Sequence, residues 1–299
     1  MIDRRSAVAW FPGMWGGLRK RQSPPQARYG LQELAASPPR PGNAEVPWNW
    51  SDVGRALLMG IALAFAGAVC LLSLRILFGV GVSFGSWLHV FPRNAFQTLT
   101  ARYQPYTMAA GSLIFGLMLY GSLLFALYYC AIRRYNLPWS SLYLRIVGMK
   151  TYGAVAALFV PVTLGGLLVT RLQVLVMGDT IHNPQAAMLT RGMPPLALNF
   201  LLLFILLAVI TPIAEEVFFR AFLYRLLRKR LPIWAAASIS SAAFATVHGV
   251  PVLFPWLFYM GIVFALVTER TRSIFSSMLL HGMTNALATL SIIVALTMS

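Results

Sequence analysis

The sequence predicts an all-α polytopic membrane protein of about seven transmembrane helices, with a helix bundle in its C-terminal half. Three observations carry this. Hydrophobic residues make up 58% of the 299 and charged residues only 11%, where soluble chains hold about 25% charged. Several apolar runs reach the roughly 20 residues that cross a bilayer as a helix. Lysine and arginine gather in every second connection between those runs, as they do in cytoplasmic loops.

Residues 1–50 come first and differ from the rest. They hold Arg4, Arg5, Arg19, Lys20, Arg21, Arg28 and Arg40, with the proline pairs Pro24-Pro25 and Pro38-Pro39. No apolar stretch follows the early arginines, which argues against a cleaved signal peptide. The segment reads as a disordered basic cytoplasmic tail. Trp10, Phe11 and Trp15 offer a second reading, a tail resting on an anionic membrane surface.

Residues 51–195 hold three spans, near 54–78, 108–132 and 153–177. Asp52 precedes the first and is a candidate cap. Between the first two, residues 81–107 read as a loop whose Trp87, Phe91, Phe96 and Tyr103 form an aromatic belt or an interfacial lid. Residues 196–299 hold four more spans, near 196–224, 232–250, 253–268 and 274–297. Cys70 and Cys130 lie in apolar runs and read as small hydrophobes. His89 and His182 fall in loops and read as ordinary surface histidines.

Orientation follows from the connections. One set carries Arg133, Arg134, Arg145 and Lys150, then Arg225, Arg228, Lys229 and Arg230, then Arg270 and Arg272. The alternate set carries Arg93 and Arg102, then Arg171 and Arg191, and nothing basic at 249–253. The pattern puts the N-terminus in the cytoplasm and the C-terminus outside, in a plasma or bacterial inner membrane. The net charge of +16 is then topology and lipid contact. No nucleic-acid motif accompanies it.

Ionisable residues inside spans are rare and usually functional. Arg75 sits near the outer end of the first span, where snorkelling explains it. The others, Glu215, Glu216, Arg220, His248 and His281, all fall in the last hundred residues. Glu216 and Arg220 are four apart, on one helix face and within ion-pair reach. Glu215 is turned from Glu216 by about 100°, so the arginine orients one carboxylate and leaves the other available. Glu215 and His248 stand at matching heights, each about 25 Å from the hairpin turn near Leu231. His281 and Asn285 share a helix face and rise to the same layer.

A carboxylate beside a histidine holds and deprotonates water. A second histidine and an amide stabilise a developing oxyanion. Together they suit amide hydrolysis, and no GxSxG nucleophile motif competes. Zinc is the alternative, with Glu215, His248 and His281 as three ligands and an open fourth position, although HExxH is missing. A structural triad in a non-catalytic protein and a transporter relay are further alternatives. No internal repeat supports the relay.

In order along the chain stand Glu215-Glu216-Val-Phe-Phe-Arg220, Phe244-Ala-Thr-Val-His248 and His281-Gly-Met-Thr-Asn285. These resemble the EExxxR, FxxxH and HxxxN motifs of the CPBP membrane proteins, which include type-II CAAX prenyl endopeptidases and bacteriocin-processing or self-immunity proteins. The resemblance covers about residues 196–298. It implies an intramembrane glutamic endopeptidase without metal or other cofactor, acting on a CAAX-like tail, leader peptide or C-terminal anchor. Its partners are that substrate and the bilayer. It also implies roles: Glu215 as general base with His248, Glu216 and Arg220 as the supporting pair, and His281 and Asn285 as oxyanion donors. Phe244 takes a packing or substrate-contacting position. The alternative within the family is a non-catalytic immunity or scaffold protein.

Overall fold

The computed structural model describes residues 46–177, 190, 193–194 and 196–298. Every regular element among them is a helix. The tail's arginines, its Trp10, Phe11 and Trp15, and also His182 and Arg191 lie outside the described residues.

Helix α1 runs Trp50–Trp87 and α2 Ala95–Leu127, the latter continuing through a π-turn at Tyr128–Arg133. One span is built from α3, Met149–Ala157, and α4, Phe159–Met177. A long span α5 covers Ala197–Arg228. After it come α6 at Ile233–Val247, α7 at Phe254–Thr271 and α8 at Ile274–Met298. Among the described residues, six segments are long and apolar enough to cross a bilayer, and α6 is a shorter apolar helix. The helices match the predicted seven in order, six of them as full spans and α6 as the shorter one, and the chain is an integral membrane protein.

Two sequence expectations change. Asn49 is the N-cap of α1, and Asp52 answers from the third helical position by accepting the Asn49 backbone N–H at 3.0 Å. Most of the expected 81–107 loop is helical, with a tight turn between α1 and α2 in which His89 takes φ +58°. The apolar run supports helix well past bilayer thickness, because backbone hydrogen bonds propagate residue by residue. Arg55 and Arg75 stand about 30 Å apart along α1, a hydrocarbon core's thickness. Arg75 therefore lies at the far interface although its helix continues to Trp87. The α1–α2 pair is close where Gly60 meets the Leu123 backbone, the contact that small residues permit between membrane helices.

The basic connections converge on one face. Asp52 is buried there and accepts the Tyr135 hydroxyl at 2.6 Å while pairing with Arg55 and Arg134. That hydrogen bond holds the Tyr135 phenol above its ordinary pKa. Glu269 binds Arg228 and Arg272, each at 3.3 Å, and accepts the Tyr224 hydroxyl. Arg272 donates to Tyr143, Ser273 to the Arg145 carbonyl, and Arg225 lies over the Tyr143 ring at 4.1 Å.

Val46 and Trp48 are buried on this same face, just ahead of α1. The Trp48 ring stacks on Phe222 at 5.3 Å, its Nε1 donates to the Phe222 carbonyl at 3.2 Å, and its own carbonyl accepts from Lys229. Trp48→Ala is therefore expected to cost about 3–5 kcal/mol, the range for removing a fully buried large aromatic. Thermal unfolding in detergent measures it.

Helix α5 is the irregular one. The stretch Thr211–Glu216 is flanked by π-turns at Ile205–Ile210 and Val217–Tyr224. Such turns are rare and gather at functional sites. They displace the carbonyl ladder, and neighbouring side chains fill the gaps. Asn285 donates to the Leu207 carbonyl, Ser240 to Phe219 and Trp48 to Phe222.

Candidate active site

Helix α5 ends at Arg228 and a short turn sends α6 back alongside it. The return brings the end of α6 to the height of Glu215. His248 is the C-cap of α6, and its Nε2 stands 4.0 Å from Glu215 Oε1. That is too long for a direct hydrogen bond and is a gap that one water can bridge. The His248 Nδ1 lies 2.7 Å from the Phe244 carbonyl. A carbonyl only accepts, so Nδ1 carries a proton and Nε2 is the ring nitrogen turned toward Glu215.

Helix α8 supplies His281 between the two carboxylates. Its Nδ1 is 3.0 Å from Glu216 Oε1 and its Nε2 is 3.6 Å from Glu215 Oε2. Glu216 is fully buried and lies 3.1 Å from Arg220, which is buried as well. This is a charge contact without an aligned hydrogen bond at the shared nitrogen. The other end of the guanidinium donates to the Gly261 carbonyl at 3.3 Å. Its plane lies over Phe244 at 4.6 Å and Phe264 at 5.3 Å, so both the charge and the flat faces are used. Burial on this scale favours a charge only when it is paired, which fits one arginine serving one glutamate.

Phe244 and Asn285 are the remaining candidates. Phe244 is buried and meets the rings of Phe219, His248 and His281 edge-on. Asn285 gives one amide hydrogen to the Leu207 carbonyl at 2.9 Å, which leaves its second. All seven candidate residues thus gather on α5, α6 and α8, with Asn285 one turn beyond His281.

Two further groups in the centre are ones that sequence reasoning missed. The Tyr120 hydroxyl reaches Glu215 Oε1 from α2 at 3.5 Å. Phe264 of α7 stacks on the His281 ring at 4.5 Å. A hydroxyl within an apolar span at this height was the available clue to Tyr120. Phe264 resembles any core phenylalanine.

Chemically, Glu215 is the carboxylate without a guanidinium, and it faces two imidazoles and a phenol. Glu216 is committed to Arg220 and His281. No curated protein and no solved structure matches the chain. Residues 197–287, which bear every one of these side chains except Tyr120, match the family model for type II CAAX prenyl endopeptidase, Rce1-like. Through this stretch, less than half of its length, the chain is similar to the type II CAAX prenyl endopeptidases.

Proposed function

We propose that the protein is a glutamate-dependent intramembrane endopeptidase. The single observation behind this reading is the 4.0 Å gap between Glu215 Oε1 and His248 Nε2, two acceptors positioned to share one water. Glu215 takes a proton from that water as the oxygen attacks the scissile carbonyl carbon. The protonated Glu215 then delivers the proton to the leaving amine, so the base is restored when the C–N bond breaks.

The carbonyl oxygen becomes an anion in the intermediate and needs donors. Asn285 has its second amide hydrogen for this. His281 donates through Nε2 only when its ring carries both protons, because Nδ1–H is given to Glu216. Glu216 and Arg220 act as positioning residues that hold His281. Phe244 packs beneath both histidines. The substrate is a membrane-associated protein or peptide.

Chelators separate this reading from the zinc alternative. Cleavage by the purified protein is expected to persist in EDTA and 1,10-phenanthroline, since the water is activated by a carboxylate and no Lewis acid is required. Inhibition reversed by added zinc would instead make Glu215, His248 and His281 ligands.

The alternative of a non-catalytic protein gains no specific support from the geometry. A purely structural layer has no need for the second carboxylate, which lies partly exposed opposite His248.

A further inference from the structure

We infer that the cleft between α1 and α2 on the arginine-rich face is a binding site for one anionic phospholipid. The cleft is a cavity of about 450 Å³ lined by Arg55, Leu58, Met59, Tyr129, Cys130 and Arg134. The first three belong to α1, and the others to the π-turn that extends α2 and to its C-cap. The site stands apart from the catalytic layer, since Arg134 follows Tyr120 by about 21 Å of helix.

The lining changes character with depth. Arg55 and Arg134 form the mouth, at the level where α1 enters the hydrocarbon. One turn deeper, Leu58 and Met59 of α1 face Tyr129 and Cys130 of the π-turn. Leu58 and Tyr129 expose 71% and 55% of their surface. Apolar side chains open at that depth meet acyl chains, because the hydrocarbon core begins there. A charged mouth over an apolar wall has the profile of a phospholipid, with its phosphate above a chain.

The charges at the mouth do not cancel. Arg55 Nη1 and Arg134 Nε both approach Oδ1 of Asp52, at 3.2 and 3.5 Å. Oδ2 of the same carboxylate is taken by the Asn49 backbone N–H and the Tyr135 hydroxyl. One buried carboxylate thus serves two guanidinium groups, and one positive charge is left over. Both arginine side chains remain about half exposed, so most of their N–H donors are available to another acceptor. Asp52 holds the two groups side by side in advance, which lowers the ordering cost of binding.

A phosphate diester suits this pair, because guanidinium groups grip phosphate oxygens through paired hydrogen bonds. The surplus charge then selects among headgroups. A headgroup of net negative charge neutralises it, as anionic lipids do at basic membrane surfaces. A zwitterionic headgroup brings its own cation and gains less. Inorganic phosphate satisfies the mouth and leaves the apolar wall unused.

Photo-crosslinking of the purified full chain in mixed micelles tests this. The probe is phosphatidylglycerol carrying a diazirine in its acyl chain, with adducts mapped by mass spectrometry. Adducts are expected at Leu58, Met59 and Tyr129. Unlabelled phosphatidylglycerol should displace the probe at about one-tenth the concentration of phosphatidylcholine, and inorganic phosphate should not displace it. Arg134→Gln leaves Asp52 paired with Arg55 and removes the surplus charge. It is expected to keep the adducts and the unfolding temperature while making the two lipids equal competitors. Leu58→Trp fills the wall with the charges intact and is expected to lose the adducts. Adducts spread evenly along the lipid-facing side of α1 would overturn the site, as would equal competition by the two lipids in the wild type. A preference that survives Arg134→Gln would overturn the role of the arginine pair. Displacement by inorganic phosphate would make this a site for a free anion and overturn the lipid.

Discussion

Glu215→Gln is expected to abolish peptide-bond cleavage by the purified protein and to leave its thermal unfolding in detergent close to wild type. The amide keeps the shape of the carboxylate and loses its basicity. General-base catalysis contributes about 10²–10⁴ in rate, and no neighbour substitutes: Glu216 is committed to Arg220 at 3.1 Å and to His281 at 3.0 Å. His248→Ala is expected to cost activity in the same range by removing the second acceptor for the water. Cleavage of a physiological substrate by the solubilised protein is the measurement. Full activity in Glu215→Gln would sink the mechanism.

Arg220→Ala is expected to show the opposite signature, a large loss of stability. It strands the buried Glu216 carboxylate without its guanidinium. Breaking a buried pair by removing one partner typically costs about 3–5 kcal/mol. Glu216→Ala should be similarly destabilised, because the guanidinium then keeps only the Gly261 carbonyl and the aromatic faces. Changing Glu216 to Gln and Arg220 to Met together should recover part of the loss, since no unpaired charge remains. Unfolding temperatures of the four variants in one detergent decide the matter. Equal destabilisation at Glu215 and Glu216 would make both carboxylates structural and favour the non-catalytic reading.

Much of this arrangement was legible in the sequence, for identifiable reasons. Charge inside a bilayer is so costly that Glu215, Glu216, Arg220, His248 and His281 declared themselves by position alone. The fixed rise of a helix then placed Glu215 and His248 at one height, and they stand 4.0 Å apart. The four-residue spacing put Glu216 beside Arg220. What escaped had no such constraint. Tyr120 belongs to a residue type that bilayers tolerate, and only the packing of α2 against α5 brings it to Glu215. Trp48 sits in a stretch that composition assigns to the tail, yet it is fully buried. The hairpin from Trp87 to Ala95 was misjudged because bilayer thickness bounds a span without bounding its helix. The π-turns of α5 are matched by donors from α6, α8 and the segment before α1, so no window of α5 alone contains them.

The π-turn at Ile205–Ile210 has a genetic consequence. It amounts to one extra residue wound into α5, between an upper half tied down by Asn199 on the Pro105 carbonyl and a lower half that carries the glutamates. An in-frame loss of one codon here would restore an even coil and swing one half against the other by about 100°. The Asn199 anchor and the Glu215–His248 register could not then both be kept. Codons 205–210 are thus a place where substitution is tolerated according to size and polarity, while any change of length breaks the phase between the two halves. Lineages that keep the Glu215–His248 register should conserve the number of these six residues more strictly than their identity.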